Sequence, residues 1–135
     1  MKILANIEIA ASIRKCVPKT IAVAYLGADW ESFIASPKQI EFIIVSPTLG
    51  TNPHALSNLA GEIGWDKIFL LDELHAKVYL GEKSAILGSA NLTRNGLSGQ
   101  GLTELCALVD SPNELKDISA CIAEWRKKAE SQYST

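Results

Sequence analysis

Only two histidines, His54 and His75, occur in this chain of 135 residues, so chemistry that needs an imidazole has few places to reside. Cysteine is scarce too. Cys16, Cys106 and Cys121 are an odd number set in apolar runs, with no Cys or His nearby at ligand spacing. That argues against a disulfide framework and against a zinc site, and the three read as small core residues in a reducing compartment. No Pro-, Gly- or Ser-rich tract divides the sequence, so no linker is expected and residues 1–135 read as one domain. No apolar run approaches a membrane span. The opening Met1-Lys2-Ile3-Leu4-Ala5 is interrupted at once by Asn6 and Glu8, unlike a secretory signal. A cytoplasmic protein without membrane contact is expected. Positive charge is not in excess either: a net charge of −2 and a pI near 5.7 give no global pull towards polyanions. Nucleic-acid binding would therefore need a local basic patch.

Apolar residues make up 47% of the chain, enough for a core that buries somewhat under ~70% of the unfolded surface without staples. Their order alternates between helix and strand periods. Apolar spacing at Ile3, Ile7, Ala10 and Ala11 predicts a helix over 3–15, although Ile7-Glu8-Ile9 also suits a strand. Runs at 20–26 and 40–45 are β-branched and almost continuously apolar, as in strands covered on both faces. Between them Asp29 is expected to cap a short helix to residue 35, which Pro37 closes. Asn52-Pro53 opens a helix in which Leu56, Leu59, Ala60 and Ile63 share a face, and Gly64 ends it. Residues 67–71 form a further strand. Ser111-Pro112-Asn113-Glu114 is a capping box opening a last helix with an apolar stripe at Leu115, Ile118, Ile122, Trp125 and Ala129. Such a stripe signals core packing. The cations Arg126, Lys127 and Lys128 are expected to complement that helix's dipole. The fold class is α/β, a mixed β-sheet flanked by helices on both faces.

The chemistry concentrates in His75-Ala76-Lys77, followed after a short apolar run by Gly88-Ser89-Ala90-Asn91. In an extended 75–80, His75, Lys77 and Tyr79 point one way while Ala76, Val78 and Leu80 point into a core. A tight turn at Gly88-Ser89 then returns Ser89 and Asn91 towards the first strand. Glu104 follows in an alternating run, 102–109, facing opposite to Leu105 and Ala107. Taken singly, each residue has an ordinary reading: a strand histidine, a turn, an exposed strand carboxylate.

In this order the residues resemble the signature of the phospholipase D superfamily, the HKD-type phosphodiesterases. The continuation Leu92-Thr93-Arg94-Asn95-Gly96-Leu97 is similar to its nuclease-like branch. Glu82 stands where that family has its Asp, and the spacing to Gly88 is slightly contracted. That acid is the part of the signature least tied to bond breaking, so the chemistry carries over while a lipid substrate gains no support. The resemblance implies a phospholipase D-like fold and a metal-independent mechanism without cofactor. One imidazole attacks phosphorus to give a phosphohistidine, and a second protonates the leaving oxygen and then activates water. Imidazole suits both roles because its ordinary pKa, about 6.5, leaves both protonation states accessible near neutrality. Lys77 and Asn91 would hold the non-bridging phosphoryl oxygens, Ser89 would add a hydroxyl donor, and Glu104 would accept from His75 and set its tautomer.

The chain carries one such motif. His54 lacks a following Lys and a Gly-Ser-x-Asn element, and reads as a solvated first-turn residue. With no internal repeat, a complete site requires a homodimer with the two His75 side chains facing across its axis. Substrate contacts are expected from Ser89, Thr93, Arg94 and Lys83, with Arg94, Lys83 and Lys77 forming a patch that a dimer would double. The favoured function is a nuclease cleaving nucleic-acid phosphodiester bonds internally, DNA ahead of RNA. The alternatives are a catalytically inactive module that docks phosphate backbones within a larger assembly and, behind it, a phospholipid phosphodiesterase. A membrane-acting enzyme is disfavoured by small size and the lack of an exposed amphipathic element.

Overall fold

The structure, a computed structural model, describes residues 1–48, 51–98 and 102–133. Seven strands, β1 (Lys2–Ala5), β2 (Thr20–Val23), β3 (Phe42–Val45), β4 (Ile68–Leu70), β5 (Val78–Leu80), β6 (Ala85–Gly88) and β7 (Leu105–Val109), form one sheet. Their spatial order is β1-β7-β6-β5-β2-β3-β4, with β2, β3 and β4 parallel and the other neighbours antiparallel. Four helices are described: α1 (Ile7–Cys16), α2 (Pro53–Ile63), α3 (Arg94–Leu97) and α4 (Pro112–Gln132).

Alternation within the central strands divides the core into two layers. Ile21 and Val23 of β2, with Ile43 and Val45 of β3, face a large cluster that also takes Ile9 and Ile13 of α1 and Leu59 and Ile63 of α2. Ala22 and Ile44 point the other way, to a smaller cluster closed by Ile122 and Ala129 of α4. The expected stripe on α4 therefore packs the second face, and Ser111 caps that helix by accepting from the Glu114 N–H at 3.2 Å. Arg126 does not serve the helix end. Its guanidinium lies 4.7 Å from the Phe42 ring and 4.5 Å from the Phe69 ring, a cation over two aromatics at the rim of this cluster.

Several boundaries differ from the sequence expectation. Residues 3–15 are not one helix: Lys2–Ala5 pairs with β7, burying Leu4, and Asn6 at φ 51° separates the strand from α1. The pairing partner lies about a hundred residues downstream, beyond the reach of local periodicity. The segment expected as a helix over 29–35 is one 3₁₀ turn, Trp30–Ser32, and Pro37 opens a second such turn, Pro37–Gln39, rather than only closing the first. Asp29 makes no side-chain cap there. The strand expected over 20–26 stops at Val23, and beyond it the buried Leu26 forms an isolated bridge with Leu92. Cys16 and Cys106 are core residues as expected, whereas Cys121 is exposed on α4. Among the described residues, no helix is long and apolar enough to cross a membrane.

The strand directions decide where function can sit. At one edge of the sheet the C-terminal ends of β1, β2, β3, β4 and β6 meet the N-terminal ends of β5 and β7. Loops from all seven strands converge there.

Candidate active site at one edge of the sheet

His75 and Lys77 precede β5 at this edge. The Lys77 Nζ lies 3.2 Å from Nδ1 and 3.3 Å from Nε2 of the exposed His75 ring. A neutral imidazole has one unprotonated nitrogen, so the ammonium can donate to the ring in either tautomer. Partial burial pushes the Lys77 pKa below its ordinary value, and the nearby charge of Glu104 pulls it back up. The alternation expected in this segment holds, since Ala76, Val78 and Leu80 all pack into the cluster under α4. Tyr79, however, does not share solvent with His75 and Lys77. It is wholly buried and its hydroxyl donates to the Ala90 carbonyl at 3.0 Å, because this face is covered too. Burial, with Cys106 and Glu104 nearby, raises the phenol well above its ordinary pKa and keeps it a donor.

The second half of the motif follows β6. Gly88 lies against β7 so closely that a Cβ there would sit 2.4 Å from the Leu105 carbonyl oxygen and 2.6 Å from the Cys106 Cα. Its N–H donates to the Lys77 carbonyl at 3.1 Å, which locks the two motif halves side by side. Asn91 is next to β2: its Oδ1 accepts the Tyr25 N–H at 3.0 Å. With the oxygen engaged, the amide NH2 makes no hydrogen bond among the described residues. Gly96 is required beside it, since a Cβ at that position would come within 2.5 Å of the Asn91 carbonyl oxygen. This gives the Asn-Leu-Thr-x-x-Gly continuation a physical role.

Ser89 and Glu104 join across β6 and β7. The Ser89 hydroxyl donates to the Glu104 carboxylate and accepts the Leu105 N–H at 3.0 Å. A hydroxyl has one proton, so Ser89 supports Glu104 here instead of offering a donor to a ligand. Glu104 is buried, not an exposed strand carboxylate, and its hydrogen bond goes to Ser89 rather than to the His75 ring. Sequence reasoning missed Asn6, whose Oδ1 accepts the Glu104 N–H at 3.2 Å. No sequence pattern marks it, because the two residues are 98 positions apart.

The remaining candidates are placed as follows. Thr93 caps α3, its Oγ1 accepting the Gly96 N–H at 3.0 Å. Arg94 is mostly solvated and lies 3.7 Å from Asp29. Lys83 is in the β5–β6 turn at the opposite edge of the sheet, so it cannot join a patch with Lys77 and Arg94. Glu82 occupies that same turn and pairs with Lys19 at 2.5 Å, far from His75. His54 is exposed in the first turn of α2, as its surroundings in sequence suggest. Among the described residues no three His, Cys, Asp or Glu side chains are grouped to hold a metal ion.

Solved structures share this arrangement of strands and helices. NucT from Helicobacter pylori superposes with a TM-score of 0.75 at 16% identity, covering 94% of this chain and 95% of that one. Nuc from Salmonella typhimurium, described as a phospholipase D family member, gives 0.70 at 11% identity over 94% and 95% of the two chains. The chain has the phospholipase D fold. A third similar structure, TrmBL2, an archaeal chromatin protein described as showing a novel mode of DNA binding, gives 0.59 at 12% identity. It covers 96% of this chain and 53% of TrmBL2. No family model and no curated protein matches the chain. In the phospholipase D fold seen here, the His-x-Lys and Gly-Ser-x-Asn elements are brought to one sheet edge by the β5–β6 hairpin.

Proposed function

We propose that the chain is a nuclease that hydrolyses phosphodiester bonds through a phosphohistidine at His75. The observation that carries this reading is the convergence of His75, Lys77, Asn91 and Glu104 on one sheet edge. The His75 ring is solvent-exposed with a cation against it, and a phosphoryl group placed there would meet Lys77 Nζ and the Asn91 amide as donors. In the first step a ring nitrogen forms a bond to phosphorus and the ester P–O bond breaks, the leaving oxygen taking a proton from a second imidazolium. In the second step that imidazole takes a proton from water, the water oxygen bonds to phosphorus, and the N–P bond breaks.

The second imidazole is the other copy's His75 in a homodimer. The sheet supports such a pairing. Ile3 and Leu105, 56% and 59% exposed, lie on the face of β1 and β7 that α4 leaves uncovered, since α4 packs on β3, β4 and β5. Leu105 adjoins Glu104, so this apolar area runs up to the site and association through it would bring two sites together.

Nucleic acid is favoured over lipid. Tyr25 is 40% exposed and its backbone is bonded to Asn91, so an aromatic side chain is available for a base next to the phosphoryl position. Arg94 adds a solvated cation for the backbone, and DNA is favoured over RNA only as the first substrate to try. Incubating the protein with labelled single-stranded DNA, duplex DNA and RNA in excess chelator tests the reading. Cleavage of one of them is expected. Binding without cleavage would favour a phosphate-backbone docking module, and cleavage that required added divalent metal would overturn the mechanism.

A further inference from the structure

We infer that Asn6 is a positioning residue for the reaction, holding Glu104 in place from the far side of β7; this rests on the nuclease reading above. Asn6 takes both backbone groups of Glu104: its Oδ1 accepts the Glu104 N–H at 3.2 Å, and its own N–H donates to the Glu104 carbonyl at 3.3 Å. Ser89 holds the same stretch from the opposite side, through the Glu104 carboxylate and through both backbone groups of Leu105. Glu104 is thus clamped between β1 and β6 before β7 begins.

Two features show that Asn6 is committed to this contact at the expense of its local role. It occupies the N-cap position of α1, where an Asn side chain ordinarily accepts from the first-turn N–H groups, yet it makes no such cap. It also adopts φ 51° and ψ −115°, a combination that side-chain-bearing residues rarely take and glycine tolerates. A residue serving the helix alone would cap it from an extended conformation. Here both the cap and a relaxed backbone are forgone, and what is gained is the fixed start of β7, from which Glu104 acts on Ser89 and on the charge of Lys77.

The test separates positioning from support of the fold. Asn6→Gly relieves the backbone conformation and deletes the amide, so its melting temperature should equal or exceed that of the unaltered protein. Its turnover should nevertheless fall about 10- to 100-fold with KM within about two-fold, the size expected when a group at a reacting site is loosened. Asn6→Asp, which keeps an oxygen acceptor at the same place, should recover turnover relative to Asn6→Gly. Parallel loss of stability and activity, or full activity in Asn6→Gly, would overturn the assignment. If the unaltered protein cleaves no nucleic acid, the nuclease reading fails on its own. The Asn6 assignment is then decided by NMR titration of the Lys77 ammonium, which feels the Glu104 charge: Asn6→Gly should move its midpoint in the same direction as Glu104→Gln, downward. An unmoved midpoint would overturn it.

Discussion

The Asn91 side-chain oxygen accepts the backbone N–H of Tyr25 at 3.0 Å, tying the turn after β6 to the end of β2 across 66 residues. This one bond fixes the amide at the proposed phosphoryl position and sets an exposed aromatic next to it. Tyr25→Ala should keep the hydrogen bond, which uses the backbone, while losing the stacking surface. Weaker binding of single strands by about 1–3 kcal/mol is expected, with turnover at saturation little changed. Tyr25→Phe should bind normally, since the hydroxyl makes no hydrogen bond among the described residues. Equal binding by all three proteins in a fluorescence titration would remove Tyr25 from the site.

Lys77→Ala and Asn91→Ala each delete a preorganised donor, and each should lower turnover about 10²- to 10³-fold without unfolding the protein. Lys77 should also set the alkaline limit. Its pKa lies below the ordinary 10.5, chiefly through burial, and only its charged form neutralises a phosphoryl oxygen. Activity should therefore decline as pH rises through a value below 10.5. Arginine stays charged throughout, so Lys77→Arg should move that limb upward whatever it does to the maximum rate. An unchanged limb in the arginine variant would assign it to another group.

Alkaline quenching should trap an acid-labile phosphoramidate on His75, absent in His75→Ala, which should lose at least about three orders of magnitude in turnover. An adduct on His54 would show that the wrong imidazole had been chosen. For the shared site, unaltered and His75→Ala chains reassembled in equal amounts should retain about one quarter of full activity, because only dimers with two histidines are complete. Retention of about one half would mean that each chain works alone.

The loop that carries His75 is tied to the end of α4. Asp72 receives the Tyr133 hydroxyl on its carboxylate, donates its N–H to Gln132 Oε1 at 2.9 Å, and accepts the Ser46 hydroxyl at 3.1 Å. Truncation after Ser131 should speed hydrogen exchange across residues 72–77 and reduce turnover while leaving α4 helical by circular dichroism. Unchanged exchange in that loop would show that α4 plays no part in holding it.

Glu82→Gln should leave turnover within about two-fold, because an exposed ion pair at the far edge contributes little and touches none of the reacting groups. The Lys19 partner holds the Glu82 carboxyl below its ordinary pKa, which marks a surface pair rather than a catalytic acid. A large loss of activity would mean that this turn communicates with the site.

Much of this protein is written locally. The β-branched runs of β2 and β3, the Asn52 and Ser111 caps, the stripe on α4 and the His75-Lys77 and Ser89-Asn91 elements depend on neighbours within a few positions, and periodicity exposes them. What the tertiary structure alone decided are relations across long sequence separations. The N-terminal segment became a strand because β7 offered it a ladder. Tyr79 was buried because its side chain points to the face that α1 covers. Lys83 left the site because a hairpin sends its turn to the opposite edge, and Asn6 entered it because β1 ends where β7 begins. Residue type and spacing specify which groups a chain can offer; only the order and direction of its strands determine which of them meet.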